Sequence, residues 1–143
     1  MNSIESILLS LEGKCRMDIS APASKEDITR VSRLYPKQFS AIKELYEISD
    51  GIEIDVPGTV FYPIKKIISA NKGVDFNECI EMGVMNFGDI LSITSEGKIL
   101  QLEHESGDVF LDWDCLEDFL KDELDALESV SYTHLTLPTI RLV

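Results

Sequence analysis

Closely spaced carboxylates are the side chains in this sequence that could most readily support chemistry. Five of them, Asp108, Asp112, Asp114, Glu117 and Asp118, could supply oxygen ligands to Mg²⁺ or Ca²⁺. Their spacing does not match an EF-hand loop, which needs glycine at its sixth position and glutamate at its twelfth. We therefore predict that the protein holds no metal ion and needs no cofactor.

The residue types used for nucleophilic catalysis form no known motif in this sequence. His104 lies near a predicted turn, without a Ser or Cys nucleophile pattern beside it, which favours a surface or capping histidine. The GxSxG, P-loop and GxGxxG motifs are absent. A hydrolase with paired carboxylates would need a cleft that a sequence does not define. We predict that the protein is not an enzyme.

Cysteine usage indicates a reducing compartment. Cys15, Cys79 and Cys115 lie far apart, and no CxxC pair is present, so a zinc site is not expected. The first residues include acids and only a brief apolar run, which predicts neither a secretory signal nor a membrane span. Reduced thiols in a cytoplasmic protein are the expectation.

The charge balance limits the classes of partner. The chain of 143 residues carries 26 acidic and 13 basic residues, a net charge of −13. Nucleic acids and anionic membranes are therefore disfavoured, because phosphate groups are bound by clusters of Lys and Arg. A basic protein partner is favoured, since opposite charges speed encounter. The alternative is that the acidic residues only form a solvated surface.

The sequence around residues 86–113 predicts a β-meander. Its three apolar runs begin at Ile90, Ile99 and Val109, and turns containing Gly97 and Gly107 separate them. Upstream, residues 52–56 alternate strictly and predict a half-buried strand, and residues 60–62 and 79–84 predict two more.

Helices are predicted on both sides of these strands. Helical apolar spacing covers residues 3–11, 25–34, 36–49, 64–71 and 115–127, with Ser24 as an N-cap and Pro36 at a first turn, while residues 15–21 are expected to be a connector. The predicted class is α+β, with N-terminal helices, a central, mostly antiparallel sheet that includes the C-terminal β-meander, and a closing C-terminal helix.

The last fifteen positions differ in character from the rest of the chain. Residues 130–139, VSYTHLTLPT, match one reading frame of a transposase adapter used in sequencing libraries. We therefore expect residues 1–128 to form a single domain and residues 129–143 to be an assembly artefact. The alternative is a natural β-rich tail.

The order of several short motifs resembles the SUKH superfamily. A helix leads to Pro36 and a second helix ends at Asp50-Gly51, while VFYPIKKIISAN, ending at Asn71, is similar to the Pro- and Ile-rich segment that follows in that family. Residues 81–83 and Phe87-Gly88-Asp89 resemble its later strand and the step into the meander, and an acid-Gly hairpin and residues 116–127 resemble its final hairpin and helix. Ser32 and Tyr35-Pro36 replace the acid and Leu-Pro common in the family.

The resemblance implies a protein-binding domain without catalytic residues. SUKH proteins include fungal cell-wall-synthesis regulators and bacterial immunity proteins encoded beside toxins. It therefore implies an immunity protein that binds and neutralises a toxin in the cytoplasm; the alternative is a regulatory scaffold module with a non-toxin partner.

An inhibitor of a basic toxin, such as a nuclease, gains from carboxylates that steer encounter and occupy phosphate sites. The residues expected to contact the partner are Glu53, Asp55, Glu103, Glu105, Asp108, Asp112, Trp113 and Asp114. Trp113 is the only tryptophan and could anchor an interface, although a core position is the more common one for such a residue.

Overall fold

A computed structural model describes residues 3–55, 58–73, 79–85 and 88–136, with side chains described for residues 4–55, 58–73, 79–85 and 88–126. Six helices lie in these ranges: α1 Ser3–Glu12, α2 Lys25–Leu34, α3 Pro36–Ser40, α4 Lys43–Ile48, α5 Ile64–Ala70 and α6 Leu116–Thr136. Seven strands accompany them: β1 Met17–Ile19, β2 Ile52–Ile54, β3 Thr59–Phe61, β4 Ile80–Val84, β5 Ile90–Ile93, β6 Ile99–Leu102 and β7 Val109–Trp113.

The strands form one sheet in the order of the chain, from β1 to β7. Every neighbouring pair is antiparallel, and β5, β6 and β7 are the predicted meander. Along the chain, helices α1 to α4 precede six of the seven strands, and α6 follows the last strand. The predicted α+β class and the closing helix are confirmed. The two edges of the sheet are β1 and β7.

The two faces of the sheet differ in composition because side chains alternate along each strand. Ile52, Ile54 and Phe61 are buried on the inner face, where the Phe61 ring meets Phe119 of α6 edge to face, with 5.9 Å between centroids. One row of cross-strand partners crosses the whole outer face: Asp18, Glu53, Val60, Val84, Ile90, Leu102 and Val109. The first two and the last are exposed, and the four between them are half-buried.

The predicted connector over residues 15–21 is wrong in its centre, where β1 pairs with β2. Three residues are too few to show a strand by their own alternation. The pairing is fixed by the neighbouring chain, since Asp18 lies opposite Glu53 and the Ser20 N–H donates to Ser49 Oγ at 2.8 Å.

The single helix predicted over residues 36–49 is wrong, because the chain divides it into α3 and α4. Its apolar residues Phe39, Ile42 and Leu45 are three apart, and three residues of an α-helix fall 60° short of a full rotation. At the break, the Ile42 N–H donates to the Phe39 carbonyl oxygen, and the Leu45 N–H donates to the Ile42 carbonyl oxygen. These i→i−3 hydrogen bonds wind the chain more tightly than the i→i−4 bonds of an α-helix. The tighter turns bring all three side chains into the core, where each is fully buried.

Polar side chains join the helices to the sheet. The Asp50 carboxylate accepts from the Ile64 N–H at 2.9 Å and so begins α5. At the end of α5, Asn71 Nδ2 donates to Ile67 O and Glu81 O, and its Oδ1 accepts from the Glu81 N–H at 2.8 Å. These residues hold α5 against β4.

The closing helix is longer than predicted, since α6 continues to Thr136 rather than ending near residue 127. No proline or glycine occurs between Cys115 and Pro138, so backbone chemistry gives no signal to stop the helix earlier. The helix therefore runs past residue 128, the predicted end of the domain.

Candidate binding surfaces

His104 lies on the surface and holds a turn together. Its Nδ1 lies 3.1 Å from Asp89 Oδ1, its backbone N–H donates to the same oxygen, and Gln101 Nε2 donates to Asp89 Oδ2 at 2.8 Å. The hydrogen bond from His104 is the main reason that the pKa of Asp89 is lowered, and the same bond raises the pKa of His104. This geometry is that of a capping histidine.

The described side chains bring together no group of three or more His, Cys, Asp or Glu residues that could hold a metal ion. Asp112 and Asp114 flank Trp113 at the end of β7, while Glu117 pairs with Lys121 at 2.9 Å along α6. Asp112, Asp114 and Asp118 are exposed, so these carboxylates lie on a surface open to solvent.

An acidic cleft of about 470 Å³ lies where β7 meets α6. Three of its lining residues, Asp112, Trp113 and Asp114, are among those predicted from the sequence to contact the partner. Asp118, Lys121, Asp122 and Asp125 of α6 complete the cleft. The cleft therefore has five carboxylates, one cation and one aromatic ring, a composition that suits Lys or Arg side chains of a partner.

Trp113 joins this cleft to the core. Its ring packs edge to face on Phe119, with 4.7 Å between centroids, and its indole N–H donates to Asp122 Oδ2 at 2.5 Å. The residue is half-buried, so it has one side in the core and one side in the cleft. Both of the roles considered for Trp113 are therefore compatible with its position.

The β6–β7 hairpin carries three more of the predicted residues, Glu103, Glu105 and Asp108, all of them exposed. The Glu103 N–H donates to Asp108 O at 2.9 Å, and the Gly107 N–H donates to Glu103 O at 2.7 Å. These bonds fix the turn and leave the carboxylates in solvent. Asp108 lies just before β7 and Asp112 lies near its end, so the strand has negative charge at both ends.

The remaining predicted residues, Glu53 and Asp55, lie toward the opposite edge of the sheet. They line a second cleft, of about 340 Å³, with Arg16 and Asp18. Five strand-to-strand steps separate β2 from β7, a distance of about 24 Å. The eight predicted residues therefore form two separate acidic regions rather than one site.

Sequence reasoning missed the contribution of α6 to the cleft and the apolar row between the two regions. Asp118, Asp122 and Asp125 lie four and three residues apart, which predicts one helical face. The spacing gives no indication that β7 borders that face. The apolar row depends on cross-strand register, and Val60, Val84 and Ile90 come from three separate strands.

One carboxyl group is buried rather than exposed. Glu123 of α6 is 5% exposed, and Thr59 Oγ1 donates to its Oε1 at 3.1 Å. Burial raises the pKa of Glu123 to about 7, partly offset by the bond from Thr59. This group is therefore able to change its charge near neutral pH.

Comparison of the chain with protein-family models gives no match, and comparison with curated proteins gives none either. Within the described part of the chain, no helix combines the length and the apolar character needed to cross a membrane.

Proposed function

We propose that this protein is a cytoplasmic immunity protein that binds and neutralises a basic toxin, for which a nuclease is the best-matched class. Two properties support the proposal: the order of motifs that resembles the SUKH superfamily, and the net charge of −13. A toxin that binds phosphate groups needs a positively charged site, and an acidic protein can cover such a site.

The observation that carries the proposal is the cleft at the β7–α6 junction. Asp112, Asp114, Asp118, Asp122 and Asp125 surround the half-buried ring of Trp113, and Lys121 is the cation beside them. Carboxylates around an aromatic ring give a Lys or Arg side chain both an ion pair and a cation–π contact. Tryptophan is also one of the residue types enriched at interface hot spots.

A regulatory scaffold module remains the alternative, and its expected mark is an exposed apolar patch without acids around it. Val109 and Leu111 are 53% and 48% exposed, but Asp108 and Asp112 lie beside them. The charged surroundings of this patch favour a basic partner and thus the immunity function.

The test is capture of the toxin by the whole chain and by two charge variants. One variant carries Asp112→Asn, Asp114→Asn and Asp118→Asn in the cleft. The matched control carries Glu26→Gln, Glu44→Gln and Glu47→Gln, which are exposed on α2 and α4. Both variants remove the same amount of negative charge, so a general electrostatic effect would be equal in the two.

We expect the cleft variant to bind the toxin at least about tenfold more weakly than the control variant. We also expect it to lose protection of cells that express the toxin. Equal binding by the two variants would show that the cleft is not the contact. Failure of the unmodified, folded chain to bind any basic toxin encoded beside it would overturn the immunity function itself.

A further inference from the structure

The two edges of the sheet are built differently. An edge strand presents unpaired N–H and C=O groups to which another chain can add a strand. β1 has three residues with a charged residue, Asp18, at its centre, and short, charged edges resist such pairing. β7 has five residues, and three of its apolar ones are exposed: Val109 by 53%, Phe110 by 64% and Leu111 by 48%.

The register shows which backbone groups of β7 point outward. The Glu103 N–H donates to Asp108 O, so these two residues form a hydrogen-bonded pair across the hairpin. Hydrogen-bonded and non-bonded pairs alternate along an antiparallel ladder. Gln101 with Leu111 and Ile99 with Trp113 are therefore bonded pairs, whereas Leu100 with Asp112 is a non-bonded pair. The N–H and C=O of Asp112 consequently point away from β6, toward an added strand.

A bulge sets the extent of this edge. The register shifts between Gln101 and Leu102, which leaves Phe110 as the extra residue on β7. Bulges at sheet edges redirect side chains and limit pairing. The regular part of the edge is Leu111 to Trp113, with the exposed Phe110 ring beside it.

The charges on β7 select against a second copy of this chain. A symmetric antiparallel pairing of the regular part of the edge, centred on Asp112, would place the Asp112 carboxylates of the two copies opposite each other. Like charges directly opposite each other destabilise a strand pair. Among the described residues, neither Asp108 nor Asp112 forms an ion pair within the chain. Both are therefore free to receive cations from a partner.

We propose that β7 is a site of strand addition for a basic protein, which contributes an extended segment with Lys or Arg alternating with apolar residues. A cation of the segment lies near Asp112 on the outer face of the sheet, and the apolar side chains of the segment, which point to the other face, cover Leu111. Backbone hydrogen bonds to Asp112 supply affinity, and alternate side chains supply specificity. The identity of this partner as a toxin rests on the proposed function.

The test uses short peptides that alternate Lys and Val. A second peptide has the same order of Lys and Val and the same charge, but the backbone nitrogen of every Lys is methylated, which removes the N–H donors from the edge that a Lys opposite Asp112 turns toward β7. The full chain is titrated with each peptide, and amide hydrogen exchange is followed along β7. Two variants are compared: Asp112→Lys at the edge and Glu47→Lys, an exposed residue of α4 that makes the same change in net charge.

We expect saturable binding of the alternating peptide and slower exchange of the Asp112 amide. The methylated peptide and the Asp112→Lys variant should each weaken binding at least about tenfold, and Glu47→Lys should weaken it much less. Equal binding of the two peptides, or equal effects of the two variants, would overturn strand addition. Dimerisation of the free chain through β7 would also overturn it, in favour of a second copy.

The failure of this inference can be distinguished from failure of the proposed function. A toxin that binds the chain without protecting β7 from exchange would refute strand addition and leave the immunity function in place. The absence of any toxin partner would refute the immunity function, while the peptide titration would still report on the edge.

Discussion

Among single residues, Glu123 gives the clearest prediction of how the free energy of unfolding depends on pH. In the unfolded chain it loses its proton near pH 4.5, whereas in the folded chain burial raises its pKa to about 7. Its contribution to the free energy of unfolding is therefore fully present below pH 4.5. The contribution declines as the pH rises and is lost above about pH 7, a total of about 3 kcal/mol.

The variant Glu123→Gln removes this titration and keeps the shape of the side chain. We expect its free energy of unfolding, measured in urea, to fall less between pH 4.5 and 7 than that of the unmodified protein. The control is Asp125→Asn, which removes an exposed carboxylate from the same helix. Parallel curves for Glu123→Gln and the unmodified chain would contradict the assigned pKa.

At the scale of elements, Asn71 is predicted to hold α5 on β4. Asn71→Ala removes two hydrogen bonds donated by Nδ2 and the one accepted by Oδ1 from the Glu81 N–H. The backbone groups that lose these bonds would stay buried without partners. We therefore expect the free energy of unfolding to fall by about 2–4 kcal/mol. Urea denaturation measures it, with the exposed neighbour Lys72→Ala as control. A cost below about 0.5 kcal/mol would contradict this role.

The contact of β3 with β4 depends on the absence of a side chain at Gly83. A Cβ at this position would lie 2.2 Å from the Val60 carbonyl oxygen, so Gly83→Ala forces the backbone of a paired strand to move. We expect a loss of about 1–3 kcal/mol or more in the free energy of unfolding. Gly13→Ala, whose Cβ would meet only ordinary contacts of 3.6 and 3.8 Å, is the comparison variant. Equal stabilities would contradict the close packing of the two strands.

Sequence patterns predicted the elements that have local signals and missed those that depend on distant partners. The Ser24 cap of α2 is present, with its hydroxyl accepting from the Asp27 N–H at 3.1 Å, and the meander turns contain the expected glycines. β1 depends on its pairing with β2, and the α3–α4 break depends on burial of Ile42. Neither the pairing of β1 nor the burial of Ile42 can be read from a short window of sequence.

The candidate site shows the same division. Asp112, Trp113 and Asp114 are adjacent in sequence and line one cleft, as their spacing suggests. Asp118 and Asp122 enter that cleft only because α6 lies against the end of β7. Glu53 lies in the other acidic region because four strands stand between β2 and β7. Such placement follows from the topology of the sheet rather than from the chemistry of the residues.

At the scale of the whole molecule, the acidic charge is predicted to control the rate of partner binding. Carboxylates occur toward both edges of the sheet, and the net charge is −13. Charge of this size should steer a basic partner over long range, and salt screens that attraction. We expect the association rate constant to fall with increasing salt much more steeply than the dissociation rate constant rises. Stopped-flow measurements would show this, and an association rate independent of salt would contradict steering.

The most direct test of the immunity function is a pull-down with the full chain against the products of the genes beside it, at low and high salt. We predict a stable complex with a basic toxin at low salt, which weakens as salt screens the carboxylates. Expression of the chain should protect cells against the same toxin. If the folded chain captures none of these products at low salt, the immunity function is contradicted.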